Sequence, residues 1–232
     1  MASNAARGDV RVVIVDDHVS IAEALELALS VEGYDVRRVA VPDAPASPAA
    51  LVSAIARLRP TVVLLNLDLG PFGDGAPLVA PLVKRGAQVV VLTGQTDRAR
   101  WGEVLAHGAR IVLSKSQPLN DLLATVRRIH QGMPVLDRRD RDELVDAWLE
   151  RRTHHGVVQD RIGLLTSRER EVLGELMRGH AVREIAARGV VSEATVRTQV
   201  KSILGKLEVS SQLAAVGLAH RVGWRAPEAV RN

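Results

Sequence analysis

Short, nearly continuous apolar runs alternate with longer amphipathic segments through the first half of this chain, and no other feature limits its fold as strongly. Residues 10–15 form the first run, which ends in Asp16 and Asp17; residues 19–32 follow with helical spacing and are closed by Gly33. The same alternation returns four more times. It predicts a parallel sheet with crossover helices, in which both faces of the strands are buried.

Five strands and five helices are predicted in this half. The strands are expected over residues 10–15, 36–41, 61–65, 87–93 and 110–113, and the helices over 19–32, 49–58, 76–84, 98–107 and 119–131. Pro77 and Pro81 weaken the third helix, because an interior proline removes a hydrogen bond. The fold class is thus α/β, with a doubly wound five-stranded parallel sheet whose functional crevice lies at the carboxyl ends of the strands.

The rest of the chain is predicted to be helical. Charges of alternating sign over residues 137–152 predict an amphipathic linker helix, and residues 154–160 a flexible joint after it. The predicted domains are an α/β domain over 1–133, a linker with its helix over 134–161, and an all-α domain of four helices over 162–232.

Helix caps and a glycine mark the boundaries inside the all-α domain. Thr166 and Glu169 have the spacing of a capping box, which opens the first helix. A short helix over residues 182–188 precedes Gly189, which is expected to turn the chain, and Ser192 then caps a longer helix.

Charge and composition narrow the choice of partners. Residues 1–136 carry 14 Lys and Arg against 13 Asp and Glu, whereas residues 164–232 carry 11 against 7, so a polyanionic partner belongs to the second part. The chain has no cysteine, and no stretch reaches the length of a membrane span. Both observations favour a cytoplasmic protein without thiol chemistry or membrane contact.

Two helices joined by a tight turn containing glycine form a helix-turn-helix, whose second helix can lie in the major groove of double-stranded DNA. Residues 165–173, 184–187 and 192–207 resemble the LuxR-type helix-turn-helix of NarL/FixJ response regulators. This resemblance implies DNA contacts, to bases or backbone, at Ser192, Thr195, Arg197, Thr198, Lys201 and Lys206.

The same resemblance implies a homodimer formed through the last helix, so that two subunits bind paired half-sites. The candidate residues for this contact are Leu213, Val216, Gly217 and His220. The alternative is that Leu213 and Val216 pack within the subunit.

Residues 10–131 resemble a receiver domain. A receiver accepts phosphate on an aspartate beside a Mg²⁺ ion held by acidic neighbours, with a hydroxyl and a lysine stabilising the phosphoryl oxygens. The resemblance assigns this pocket to Asp16, Asp17, Thr93 and Lys115. The acceptor position at the end of the third strand holds Asn66 instead of aspartate.

An amide cannot form the acyl phosphate, so phosphorylation at Asn66 is expected to fail. With one carboxylate fewer, Asp16 and Asp17 would bind Mg²⁺ weakly, or would serve as a structural ion pair with Lys115. The leading hypothesis is a transcription regulator that has no enzymatic activity and requires no cofactor. Its receiver-like domain would act in dimerisation or in sensing a small molecule.

Two alternatives remain open at this stage. In the first, Asp68 or another acid takes phosphate from a histidine kinase, as in a conventional two-component system. In the second, the first domain is a small-molecule binding or enzymatic unit; a nucleotide cofactor is disfavoured, because Asp17 and His18 stand where a glycine-rich phosphate loop would follow the first strand.

Overall fold

The computed structural model describes residues 7–42 and 47–226 of the chain. It divides into two units, Met1–Leu149 and Glu150–Asn232, and the division falls inside the predicted linker.

The described part of the first unit is built on a five-stranded parallel sheet. Its strands are β1 (Arg11–Val15), β2 (Asp35–Arg38), β3 (Val62–Asn66), β4 (Gln88–Thr93) and β5 (Ile111–Ser114). They lie side by side in the order β2-β1-β3-β4-β5, and all neighbouring pairs are parallel. The predicted doubly wound topology is confirmed, and the carboxyl ends of all five strands meet at one edge.

Five helices cover the two faces of this sheet. They are α1 (Val19–Val31), α2 (Pro48–Arg57), α3 (Ala76–Val83), α4 (Arg98–Ala106) and α5 (Leu119–His130). Alternate side chains of each central strand enter two separate cores. Val13 packs with α2, α3 and α4, whereas Val12 packs with α1 and α5. Burial on both faces explains why the strands are continuously apolar.

Two predicted elements differ in detail from the structure. Helix α3 forms despite its prolines, because Pro77 lies in the first turn, where its missing N–H costs nothing, and only Pro81 is interior. Strand β2 ends at Arg38, three residues earlier than predicted, since it pairs only with β1. Val39 and Val41 still pack against the core beyond the end of the strand.

The prediction of a flexible joint over residues 154–160 is wrong. A single helix, α6, runs from Arg138 to Gly163 and includes the whole predicted joint. Two of its residues, Val158 and Ile162, are buried in the core of the second unit, and this burial stabilises the helix where its polar sequence alone predicts a loop.

The first half of α6 packs against α4 within the first unit. A Cβ atom placed on Gly102 would fall well inside van der Waals distance of the Leu144 carbonyl oxygen, so the two helices touch through backbone. Arg141 adds hydrogen bonds from its guanidinium to the carbonyl oxygens of Leu105, at 2.5 Å, and Ala109, at 3.1 Å. This contact depends on the absence of a side chain at Gly102.

The second unit contains the end of α6 and, in the described residues, four further helices. These are α7 (Ser167–Met177), α8 (Val182–Arg188), α9 (Glu193–Leu207) and α10 (Gln212–Arg221). The predicted capping box is present: Glu169 N donates to Thr166 Oγ1 at 3.3 Å, and Thr166 N donates to Glu169 Oε2 at 2.7 Å. The predicted cap at Ser192 is also present, with Thr195 N donating to its hydroxyl.

The turn between α8 and α9 is made differently from the prediction. Gly189 has a negative φ of −83° and ends α8, whereas the following residue, Val190, has the left-handed conformation with φ of 50°. A Cβ added to Gly189 would meet the end of the Arg168 guanidinium, a flexible group that can move aside. The left-handed turn is therefore held by a β-branched residue, which is an unfavourable choice for that backbone.

Candidate functional site

Four of the predicted receiver residues converge at the carboxyl edge of the sheet. Asp16 and Asp17 follow β1, Asn66 ends β3, and Lys115 follows β5. Thr93 ends β4 and is buried. Its hydroxyl accepts a hydrogen bond from Gln95 N at 3.0 Å and so stabilises the loop that follows β4. The parallel topology brings these residues together although they are far apart in sequence.

The amide of Asn66 is the centre of this pocket. Asn66 is only 2% exposed. Its Nδ2 donates to Asp17 Oδ1 at 2.7 Å, to Asp16 Oδ1 at 3.2 Å and, at very short range, to the Asp68 carbonyl oxygen. Its Oδ1 points the other way and accepts from Asp68 N at 3.4 Å. The side chain thus holds two acidic residues and a loop together.

A positive group, the ammonium of Lys115, neutralises Asp16. Lys115 Nζ lies 3.0 Å from Asp16 Oδ1 and 2.8 Å from Asp16 Oδ2. Asp16 is buried, so its charge requires a partner of this kind. The structure therefore contains the ion pair that one of the two sequence interpretations proposed.

His18 also contacts both acids, a role that sequence reasoning did not assign to it. Its Nδ1 lies 2.9 Å from Asp17 Oδ1 and 3.2 Å from Asp16 Oδ1, and its backbone N donates to Asp16 Oδ1 at 2.9 Å. Ligand atoms of Asp16, Asp17 and His18 lie within 4.8 Å of one another. The position of His18 directly after the paired acids, at the start of α1, was the signal available in the sequence.

Hydrogen bonding controls the ionisation of Asp17. Burial alone would raise the pKa of its carboxyl, but hydrogen bonds from Asn66 and His18 outweigh this effect and lower the pKa below its ordinary value. Asp17 is accordingly ionised at neutral pH.

Asp68 contributes its backbone carbonyl to the pocket, whereas its carboxylate bonds to the backbone of the loop. The carbonyl oxygen contacts Asn66, while the exposed carboxylate accepts a hydrogen bond from Gly70 N at 3.2 Å. The carboxylate of the alternative phosphate acceptor is therefore engaged by the backbone of its own loop.

The second candidate surface lies on helix α9. Arg197, Thr198 and Lys201 are exposed on the side opposite the buried stripe of this helix. Arg197 contacts Glu193 at 3.1 Å, and the Thr198 hydroxyl donates to the Ala194 carbonyl at 3.0 Å. Arginine, lysine and threonine can all donate to base edges or phosphates, so this face suits the major groove.

The other three predicted DNA contacts hold parts of the domain together. Ser192 and Thr195 form the cap of α9, and their hydroxyl oxygens lie 2.8 Å apart. Lys206 Nζ binds Glu169 Oε2 at 2.7 Å. Arg197 and Lys201 are thus exposed cations of α9, whereas Lys206 stabilises the domain through Glu169.

Glu169 is a structural residue that sequence reasoning recognised only as part of a cap. It is 6% exposed and accepts hydrogen bonds from Ser202, Lys206 and the backbone of Thr166. Burial alone would raise the pKa of Glu169, but hydrogen bonds from Lys206, Ser202 and Thr166 lower it to about 2. The carboxylate therefore ties α7 to α9, which carries the exposed cations.

The predicted dimerisation residues differ in exposure. Leu213 is 82% exposed, and His220 is also exposed. Val216 is half-buried against the core, as the alternative interpretation proposed, and Gly217 is half-buried as well. Helix α10 thus has one large apolar side chain directed to solvent.

Comparison with known families agrees with both halves of this description. Residues 12–127 match the family described as the response regulator receiver domain, and residues 163–219 match the bacterial regulatory proteins of the luxR family. The chain belongs to the NarL/FixJ type of response regulator, a family of DNA-binding regulators and not of enzymes.

Its relatives align with it over most of their length. The nitrate/nitrite response regulator NarP of Escherichia coli K12 is 30% identical over 208 residues, which cover 88% of this chain and 92% of NarP. The oxygen regulatory protein NreC of Staphylococcus carnosus is 24% identical, with 88% and 93% covered. A solved structure of the RcsB response regulator of Salmonella typhimurium is 21% identical, covers 91% of this chain and 98% of that one, and has a TM-score of 0.47.

Within residues 7–42 and 47–226, no helix combines the length and the apolarity needed to cross a bilayer.

Proposed function

We propose that this protein is a sequence-specific transcription regulator whose receiver works without phosphorylation at the usual position. One observation supports this most directly: the buried side chain at the acceptor position is Asn66, with its amide nitrogen directed at the acid pair. An amide nitrogen is not a nucleophile towards phosphate, and its oxygen cannot give the mixed anhydride that a carboxylate forms.

The proposal includes a set of partners. The protein would bind double-stranded DNA as a homodimer in the cytoplasm, through α9 and with α10 between subunits, and it would require no cofactor. A cavity of about 480 Å³, lined by Asp17, Arg38 and apolar side chains, gives a small-molecule ligand a place to bind. A ligand that binds there would raise Tm, so a thermal-shift screen in which no small molecule raises Tm would count against this part.

The conventional two-component mechanism is the competing function. Incubating full-length protein with acetyl phosphate and Mg²⁺ is expected to leave its intact mass unchanged. Asn66→Asp restores the carboxylate and serves as the positive control, which should gain one phosphoryl group. A base-labile phosphoryl adduct on the unmodified chain that disappears in Asp68→Asn would establish the competing mechanism.

DNA recognition is tested by three single substitutions. Arg197→Ala is expected to weaken binding to a site selected from random DNA by about tenfold or more, and to relax specificity at one base position. Lys201→Ala should weaken all sequences similarly and reduce the salt slope by about 1. Arg178→Ala, which removes an exposed cation that contacts Glu175 at the end of α7, is the control.

The measurement is quantitative footprinting over a range of salt concentrations, with the number of bound chains counted by analytical ultracentrifugation. Two chains per site agree with the homodimer. If selection enriches no sequence, or if Arg197→Ala leaves affinity and specificity as they were, the groove assignment of α9 is refuted.

A further inference from the structure

Three oxygens from two segments of the chain surround a single nitrogen in the receiver pocket. They are Asp16 Oδ1 and Asp17 Oδ1 after β1 and the Asp68 carbonyl oxygen after β3, and the nitrogen is Asn66 Nδ2. Two acids and a loop carbonyl are the kind of oxygen set that Mg²⁺ prefers. In this chain an N–H donor stands among them.

We propose that the Asn66 amide takes the position of a divalent cation, so that the pocket excludes Mg²⁺ instead of binding it weakly. This inference builds on the assignment of Asn66 as a non-acceptor in the proposed function, and it adds a positive role for the amide. The residues present do not fit the metal that the receiver fold implies.

The orientation of the amide supports the proposal that it takes the position of the cation. If the side chain were reversed, Asn66 Oδ1 would face three oxygens at hydrogen-bonding distance, and lone pairs would oppose one another. In the structure the two N–H groups of Asn66 face these three oxygens, and Oδ1 is left to accept from Asp68 N. A cation would require the amide to rotate and to lose every hydrogen bond that Nδ2 makes.

One acid oxygen, Asp16 Oδ1, is already surrounded by donors, whereas among the described residues the buried Asp16 Oδ2 has the ion-pair contact with Lys115 and no hydrogen bond. Asp16 Oδ1 lies within 3.2 Å of donors from His18, Asn66 and Lys115. Mg²⁺ demands oxygen ligands at about 2.0–2.1 Å in an octahedral arrangement, so it would have to displace several of these donors. The ion must therefore compete with contacts that the folded chain provides.

Charge explains why the amide stabilises the acid pair. An aspartate at this position would gather three carboxylates around Lys115, an arrangement that needs a further cation. Asn66 removes one negative charge and adds a donor. The substitution that prevents phosphorylation therefore also removes the need for the metal.

The deciding experiment is Mg²⁺ titration of the full-length protein by calorimetry, together with Tm in EDTA and in Mg²⁺. The native protein should show no saturable Mg²⁺ binding. Asn66→Ala opens the position and should show saturable Mg²⁺ binding, and Asn66→Asp should bind Mg²⁺ more tightly than Asn66→Ala. Asn120→Ala, an exposed asparagine of the same unit, should behave like the native protein.

The alanine variant separates this inference from a merely weak metal site. If the Asn66 oxygen were a metal ligand, its removal would lower Mg²⁺ affinity, and that result would overturn the proposal. It would leave the absence of phosphorylation untouched, since the two are measured separately.

A second measurement uses the native chain and does not depend on the folding of a variant. The side-chain ¹H–¹⁵N signals of Asn66 should keep their positions when Mg²⁺ is added, as the amide stays in place. A saturable shift of these signals with Mg²⁺ would contradict the proposal.

Discussion

Glu169→Gln is expected to destabilise the second unit by about 3 kcal/mol at neutral pH. The carboxylate is buried, and its pKa is lowered from 4.5 to about 2 by Lys206, Ser202 and Thr166, against the effect of burial. A neutral amide resembles the protonated acid, so it loses the difference in interaction that this shift represents. The link between α7 and α9 should weaken.

The same shift predicts how stability depends on pH. Because the folded pKa is below the unfolded value, the contribution is fully present above about pH 4.5 and is lost as the pH falls towards about 2. The native chain should therefore lose stability across this window more steeply than Glu169→Gln does, and the two should converge at its acid end.

Amide hydrogen exchange of α7 and α9 in the full-length protein, measured from pH 7 to acid, would report this difference locally. Glu171→Gln is a matched control, because Glu171 lies on the same helix but is exposed and paired with Arg168. Equal protection of the native and Glu169→Gln proteins at neutral pH would refute the structural role.

Gly102→Ala is expected to detach the first half of α6 from α4. The added Cβ would overlap the Leu144 carbonyl oxygen and press on Trp148, and backbone atoms cannot move aside as a flexible side chain can. Overpacking of this kind costs about 1–3 kcal/mol. The hydrogen bonds from Arg141 to the end of α4 should be lost together with the contact.

Exchange protection of Arg141, Leu144 and their helical neighbours measures this effect. Gly156→Ala is the control within the same helix, since nothing lies within 4 Å of a Cβ at that position. It should stabilise α6 by about 1 kcal/mol, because alanine is the better helix former. If Gly102→Ala left both Tm and exchange of α6 unchanged, the close backbone contact would be wrong.

Periodicity and caps were sufficient to predict most elements to within a few residues. The alternation of apolar runs fixed the parallel sheet, and Thr166 and Ser192 marked two helix starts, because local spacing and local hydrogen bonds decide such features. The helix over residues 154–160 was not predicted, because its formation depends on distant packing. Its polar sequence has little helical preference, and burial of Val158 and Ile162 outweighs it.

The site was predictable as a set of residues, though not as a set of contacts. The strand register located Asn66 at the end of β3 and Lys115 after β5. Sequence gave no means to tell that Lys206 binds Glu169, because that contact depends on how α7 and α9 pack. The contacts of His18 with both acids are local, so its position directly after Asp16 and Asp17 was a usable signal.

The sequence by itself determined the parallel α/β sheet, the helix-turn-helix and the presence of an asparagine at the end of the third strand, because each depends on residue type and spacing along the chain. Only the tertiary structure decided the direction of that amide. Its Nδ2 turns towards Asp16, Asp17 and the Asp68 carbonyl because β1 and β3 are neighbours in the sheet, and three acceptors at one point select a donor.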